Sequence, residues 1–167
     1  MHRATLLALT FTLAPPVGAS DFMLQKPIDC TLGETCYLQN YVDRDPTSGV
    51  RDYHCGGLSY DGHKGTDIRV PTLADMARGV DVLAAAPGTV RGLRDGVADV
   101  GPTEATPGQE CGNGVVLRHA DGWETQYCHM KSGSLLVRPG QRVQAGAVLG
   151  QVGLSGKTES PRLQLSL

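Results

Sequence analysis

The segment Asp61-Gly62-His63-Lys64-Gly65-Thr66-Asp67 sets a histidine and an aspartate four residues apart in a glycine-punctuated loop. Imidazole and carboxylate are donor types that hold zinc in hydrolases, where three protein ligands leave one position for a water that the metal acidifies. A second histidine, His129, closes the run Tyr127-Cys128-His129-Met130. Imidazoles beside such a centre move protons and steady a developing oxyanion. Near the C-terminus, Gly153-Leu154-Ser155-Gly156 precedes Ser160-Pro161-Arg162-Leu163-Gln164-Leu165-Ser166-Leu167. Strand alternation puts Arg162, Gln164 and Ser166 on one face and the three leucines on the other. Each feature is weak alone, since a polar surface loop carries His-x-x-x-Asp just as readily. Their order carries the weight: the loop, then Gly112-Asn113-Gly114-Val115-Val116 opening a hairpin, a Pro-Gly turn, a glycine-rich strand pair and a final strand.

That ordered set resembles the lysostaphin/LytM-type zinc metalloendopeptidases, which cut peptide links in bacterial cell walls. The resemblance covers roughly residues 57–167. The family pattern reads His-x-x-x-Asp, then Tyr-x-His, then Pro-His-x-His. Carried onto this chain, it implies His63 and Asp67 as zinc ligands and Gln164 at the third ligand position. It implies His129 as a catalytic histidine, with Arg162 standing where the other catalytic histidine belongs. It further implies zinc as cofactor and peptidoglycan peptides as partners.

The two departures have chemical consequences. Gln164 offers a neutral amide oxygen, a poorer zinc ligand than imidazole. Arg162 brings a fixed positive charge that repels a metal cation. Weak or absent zinc occupancy is therefore expected, with the guanidinium pairing two-pronged to Asp67 in the ion's place. A rescue would move His129 in as third ligand; His54 and Cys128 are other conceivable donors. The function expected is a secreted, peptidoglycan-directed member of the peptidase family with catalysis weakened or lost. The alternatives are a non-catalytic module that binds the wall or activates another wall hydrolase, and a decaying copy with no selected role.

The elements that must position these residues read as all-β: a single domain of short antiparallel strands, which the resemblance makes a duplicated-hybrid-motif fold. Ile68-Arg69-Val70 reads as a strand ended by Pro71, and Thr72–Arg78 as one short helix with Thr72 as N-cap and Gly79 closing it. Val80–Ala86 and Thr89–Leu93 read as strands around a Pro87-Gly88 turn. Arg94–Glu110 is a long loop at the border of the groove, and residues 113–130 form a hairpin turning at Ala120-Asp121-Gly122. Residues 137–153 read as short glycine-broken strands. A lipoyl-type carrier, which shares that last pattern, needs a lysine where this chain has Ala145-Gly146. Trp123 and Tyr127 read as packing residues on one face of the hairpin, and His119 as surface or structural. Asp21–Ser59 lacks periodicity; residues 20–56 read as an irregular, disulfide-pinned segment over a 57–167 domain.

The first residues read as a secretory signal: His2 and Arg3, an apolar run from Ala4 to Ala14, and a cleavage site after Val17-Gly18-Ala19. Residues 1–19 are thus expected to be removed, giving a periplasmic or secreted protein with no membrane span. Removal of Arg3 leaves 14 basic against 17 acidic residues, a net charge of −3, which argues against a nucleic-acid partner. Five cysteines in an oxidising compartment suggest two bridges and one free thiol. The hairpin brings Cys111 and Cys128 together, leaving one bridge among Cys30, Cys36 and Cys55. A cysteine zinc site is disfavoured by the absence of Cys-x-x-Cys. Members of the resembled family continue past the final strand, whereas this chain stops at Leu167.

Overall fold

The computed structural model describes residues 22–103 and 106–167, so the expected signal segment, residues 1–19, lies outside the described residues. Among the described residues, nine short strands form two sheets. These are β1 (Tyr37–Asn40), β2 (Thr66–Arg69), β3 (Asp81–Leu83), β4 (Gly88–Arg94), β5 (Asn113–Arg118), β6 (Glu124–Met130), β7 (Arg142–Val143), β8 (Val148–Gln151) and β9 (Arg162–Ser166). The larger sheet runs in the order β1-β2-β9-β6-β5-β4-β7, every neighbour antiparallel. β3 and β8 pair by themselves. The all-β, antiparallel expectation is met.

Alternation decides which side chains enter the core. Leu163 of β9, Ile68 of β2, Tyr127 of β6, Val115 and Leu117 of β5 and Val90 of β4 all point inward and meet Val82 and Leu149 of the small sheet. These side chains are almost fully buried, and area removed from water is the main force closing the fold. A buried polar chain stitches the layers. Tyr127 OH accepts from Ala85 N–H at 2.8 Å and shares a bond with Thr125 Oγ1 at 3.1 Å; Thr125 meets His119 Nε2 at 2.7 Å, and His119 Nδ1 meets the Pro87 carbonyl at 2.8 Å. His119 is therefore structural.

The helix α1 (Leu73–Arg78) starts as its cap dictates, with Thr72 Oγ1 accepting from Asp75 N–H at 3.1 Å, and Gly79 ends it at φ 90°. The hairpin of residues 113–130 forms β5 and β6. The strands expected around the Pro87-Gly88 turn form as β3 and β4 but do not pair with each other: β3 turns away to β8, so Val80–Ala86 leads into the second sheet. One expectation needs correction. Trp123 does not pack in the core with Tyr127; it is 49 % exposed and stacks on Phe22 at 6.0 Å. The N-terminal segment is mostly irregular, as expected, yet it also supplies β1 at the sheet's edge. Tyr37-Leu38-Gln39-Asn40 shows little alternation and pairs on only one side, so its pattern was too weak to announce a strand. Cys30–Cys36 and Cys111–Cys128 are bridged, and Cys55 is free and exposed.

Candidate functional site

The site is a row across four neighbouring strands. Asn40 of β1 stands opposite Asp67 of β2, Asp67 opposite Gln164 of β9, and Gln164 opposite Cys128 of β6. Residues directly opposite in an antiparallel pair share a face, so register alone assembles these side chains on one side of the sheet. The same face carries Arg162, two residues from Gln164.

His129 joins the row through a backbone irregularity. By alternation, inward Tyr127 and outward Cys128 would send His129 into the core. Instead the register slips between Asn113↔Met130 and Val115↔Tyr127, so both Cys128 and His129 face Gly114. His129 adopts φ 65°, a left-handed conformation rare for a side-chain-bearing residue. Met130 is thereby returned to the core and His129 stays at the groove. Gly114 makes this possible, since a Cβ there would sit 2.4 Å from the Tyr127 carbonyl oxygen. The His129 N–H donates to the Cys111 carbonyl at 2.8 Å, and the Cys111–Cys128 bridge closes the same corner.

His63 comes from the loop before β2 and is held by the N-terminal segment. Asp43 N–H donates to the His63 carbonyl at 2.8 Å, and Gly62 N–H donates to Asp43 Oδ2 at 3.0 Å. The Tyr60 ring lies on the His63 imidazole with centroids 4.3 Å apart. His63 Nε2 is 3.3 Å from Asp67 Oδ2, and Arg162 Nε is 3.5 Å from that same oxygen. Asn40 Nδ2 donates to it at 3.1 Å. All three of His63, Asp67 and Arg162 are buried. His129 Nδ1 donates to the Ser155 carbonyl at 2.9 Å, which fixes its tautomer, and its Nε2 meets the Gln164 amide at 3.3 Å. The Gln164 atom that faces Nε2 is the amide oxygen Oε1.

The electrostatics favour neutral rings. Burial pushes the His63 imidazole below its ordinary value; Asp67 opposes that and Arg162 adds to it. Burial likewise lowers His129, the Ser155 bond opposing and the nearby guanidinium reinforcing. Burial raises the Tyr60 phenol, with the Asp67 charge adding to the effect.

Whether these residues fit zinc divides into two halves. Two ligands each about 2.0–2.1 Å from a tetrahedral ion lie about 3.3 Å apart, which is the His63–Asp67 separation. His63 Nε2 and Asp67 Oδ1 are buried without a hydrogen-bond partner, as free donors would be. The other half does not fit. Among the described residues, no three His, Cys, Asp or Glu side chains converge. Gln164 is engaged with His129, Cys128 is in its disulfide, and a guanidinium contacts Asp67. His54 is exposed and lies against Tyr53, away from the row. The guanidinium contact is a single approach through Nε, which lacks a hydrogen bond of its own, so the expected two-pronged pairing is not formed.

Sequence reasoning singled out His63, Asp67, His129, Arg162 and Gln164, and the fold brings all five together. It missed Asn40, Asp43, Tyr60 and the Ser155 carbonyl. Only the Gly-Leu-Ser-Gly turn hinted at one of them. The row opens on a groove of about 900 Å³ bordered by Tyr60, Lys64, Glu110, His129, Lys157 and Gln164.

An open antiparallel sheet whose groove floor gathers a histidine–aspartate pair and a strained histidine defines a metallopeptidase-like β fold. The family model of Peptidase family M23 matches residues 61–167, and the chain belongs to that family, which is zinc-dependent. It is 41 % identical over 56 residues to the cell division protein DipM of Caulobacter vibrioides, covering 34 % of this chain and 9 % of that protein. It is 31 % identical over 86 residues to the peptidoglycan DD-endopeptidase ShyC of Vibrio cholerae, covering 52 % of this chain and 18 % of that protein. The chain thus spans less than a fifth of the length of each of these relatives. In fold it is similar to the catalytic domain of the prophage-encoded M23 protein EnpA of Enterococcus faecalis, with TM-score 0.54 and 24 % identity over 80 % of each chain.

Proposed function

We propose that this chain is a secreted or periplasmic, peptidoglycan-directed M23 protein whose hydrolytic centre is weakened or lost. In this reading His63 and Asp67 are the remaining metal ligands and Gln164 fills the third ligand position. His129 is the remaining catalytic histidine, and Arg162 replaces its partner. Residues 57–167 are the peptidase-type unit, with 20–56 as the segment that braces its first loop. The observation that carries the reading is the buried Arg162 guanidinium 3.5 Å from Asp67 Oδ2, a cation already seated where the metal charge would be balanced. Gln164 supports it further, because its amide oxygen already contacts His129 Nε2, the groove-facing ring nitrogen that a general base would use.

The test is zinc content and affinity of the purified, disulfide-intact chain, beside wall digestion. Wild type should hold far less than one zinc at submicromolar free metal and release no wall fragments. Arg162→His with Gln164→His should restore one tightly held zinc. Stoichiometric tight zinc in the wild type would sink the proposal.

A second reading, a non-catalytic binding or activating module, is favoured by the intact groove. It is tested by pull-down of wall sacculi and of wall amidases in chelator, where binding should survive.

A further inference from the structure

Residues 95–101, the first part of the long loop after β4, do not border the groove, yet they are clamped onto the two segments that hold His129. Asp99 Oδ2 accepts from the Ser132 N–H at 2.8 Å, in the turn after β6. Asp99 Oδ1 accepts from the Leu154 N–H at 2.9 Å, between β8 and β9. Asp95 Oδ1 accepts from the Gly133 N–H at 2.8 Å, and the Gly101 N–H donates to the Leu154 carbonyl at 2.8 Å. Asn113, fully buried at the start of β5, ties the same pieces together. Its Oδ1 accepts from the Val97 N–H at 2.8 Å, and its Nδ2 donates to the Val97 carbonyl at 2.7 Å and to the Met130 carbonyl at 3.1 Å. Its own N–H donates to Ser155 Oγ at 2.9 Å, and that hydroxyl donates on to the Met130 carbonyl at 2.7 Å. Both amide protons and the amide oxygen are thus engaged. No side chain fits between these pieces. A Cβ at Gly112 would sit 2.4 Å from the Ser155 carbonyl carbon, and one at Gly153 would sit 2.5 Å from Asp99 Oδ1.

From this clamp we infer that Asn113 and Asp99 are positioning residues for His129, acting through the Ser155 carbonyl, with residues 95–101 as the strut between them. Neither side chain borders the groove. What they fix is the backbone at Leu154 and Ser155, and the Ser155 carbonyl accepts from His129 Nδ1 at 2.9 Å. A second acceptor faces the other end of the ring, Gln164 Oε1 at 3.3 Å from Nε2. A neutral imidazole has one N–H to give to two acceptors. The nearer acceptor, held rigid by the clamp, takes it and leaves Nε2 bare toward the groove. Supporting groups of this kind lock the orientation of a functional side chain without touching a reacting atom. These roles rest on reading His129 as the remaining catalytic histidine, and they hold with or without zinc.

The experiment is long-range proton–nitrogen NMR of the whole, disulfide-intact chain with labelled histidine. It is run in chelator at about pH 8, well above the ordinary imidazole value of about 6.5. Protonated and bare ring nitrogens resolve in such spectra. His119 is the internal control, because its ring is held by the Pro87 carbonyl and Thr125 Oγ1 and not by the clamp. In the wild type, His129 should carry its proton on Nδ1. Asp99→Ala and Asn113→Ala should each lower the ratio of Nδ1–H to Nε2–H at His129 about fivefold, the weight of one net hydrogen bond, with His119 unmoved. Asp99→Asn keeps one acceptor oxygen and should fall between wild type and Asp99→Ala. If Asn113→Ala does not fold, the two Asp99 variants decide. A wild-type His129 protonated on Nε2, a His129 unchanged in Asp99→Ala, or a His119 that shifts in step with His129 overturns the positioning role. Each of those results leaves the weakened-centre reading standing. Tight zinc in the wild type would instead sink that reading and leave the roles of Asn113 and Asp99 intact.

Discussion

Replacing Arg162 with methionine should destabilise the protein by about 3 kcal/mol, a large effect for one strand-edge side chain. Asp67 is fully buried, and the guanidinium lies 3.5 Å from its Oδ2. At that distance and an effective dielectric near 20, two unit charges attract by about 5 kcal/mol. Breaking a buried pair by removing one partner costs about 3–5 kcal/mol. Asn40 Nδ2 remains as a donor to the carboxylate, which places the expected loss at the lower end. Removing the whole pair should be far milder, because the double variant Arg162→Met with Asp67→Asn leaves no uncompensated charge. The assay is urea unfolding at pH 7 in chelator with disulfides intact, on wild type, both single variants and the double variant. With a slope of about 2 kcal/mol per molar urea, the arginine variant's midpoint should fall by about 1.5 M. A coupling energy of about 2 kcal/mol should emerge from the cycle. An arginine variant within 1 kcal/mol of wild type, or single losses that simply add, would refute the idea that Arg162 serves as the internal counter-ion of Asp67.

Three further outcomes follow from the same geometry. His129 sits at φ 65°, so His129→Gly should be more stable than His129→Ala by about 1 kcal/mol, the reverse of the usual order within a strand; equal urea midpoints would show that the conformation is not strained. His63 and His129 both have lowered folded-state values, so the unfolded chain binds protons more readily; stability is full above about pH 6.5 and declines as pH falls toward the folded values. Urea midpoints taken from pH 7.5 to 5 should drop, and the drop should shrink in His129→Gln; a flat profile would contradict the burial assigned to these rings. Tyr127→Phe should cost about 1–3 kcal/mol in chemical unfolding, because it strands the Ala85 N–H in the core, and a loss below 0.5 kcal/mol would mean that the N–H finds another partner.

What was legible in the sequence was periodicity and punctuation. Leu163, Leu165 and Leu167 alternating with polar residues identified β9 and its groove face, and Thr72 with Asp75 identified the helix start. The hairpin fixed the Cys111–Cys128 bridge because its turn sets which residues face each other. Pairing between distant strands left no such mark. Nothing in Val80–Ala86 says that its partner is β8 rather than β4, since either would accept the same apolar run. Asn40 was invisible for a related reason: a lone asparagine gains its meaning only from the register that sets it opposite Asp67. The bulge at His129 could not be read either, because alternation taken at face value buries that ring.

The bulge also bears on which parts of the site the scaffold holds independently of the groove face. His129 is aimed by backbone means: a left-handed residue, a glycine opposite that tolerates no Cβ, a bond to the Cys111 carbonyl, and a disulfide at the same corner. These devices are anchored by Tyr127 and Met130 in the core, so they persist whatever occupies the groove. Arg162 and Gln164, in contrast, are two outward positions on one strand, and their inward neighbour Leu163 keeps β9 in place irrespective of them. Chemistry on that face can therefore change without disturbing the scaffold. The strain at His129, of order 1–3 kcal/mol, is held by packing rather than relieved by a ligand. On the proposed reading, the double change of Arg162 and Gln164 to histidine meets a groove in which His63 and Asp67 already stand at ligand spacing and His129 faces position 164. Full recovery of zinc by two substitutions is what a scaffold-independent centre requires; recovery that needed changes on β6 as well would show the two halves of the site to be mechanically coupled.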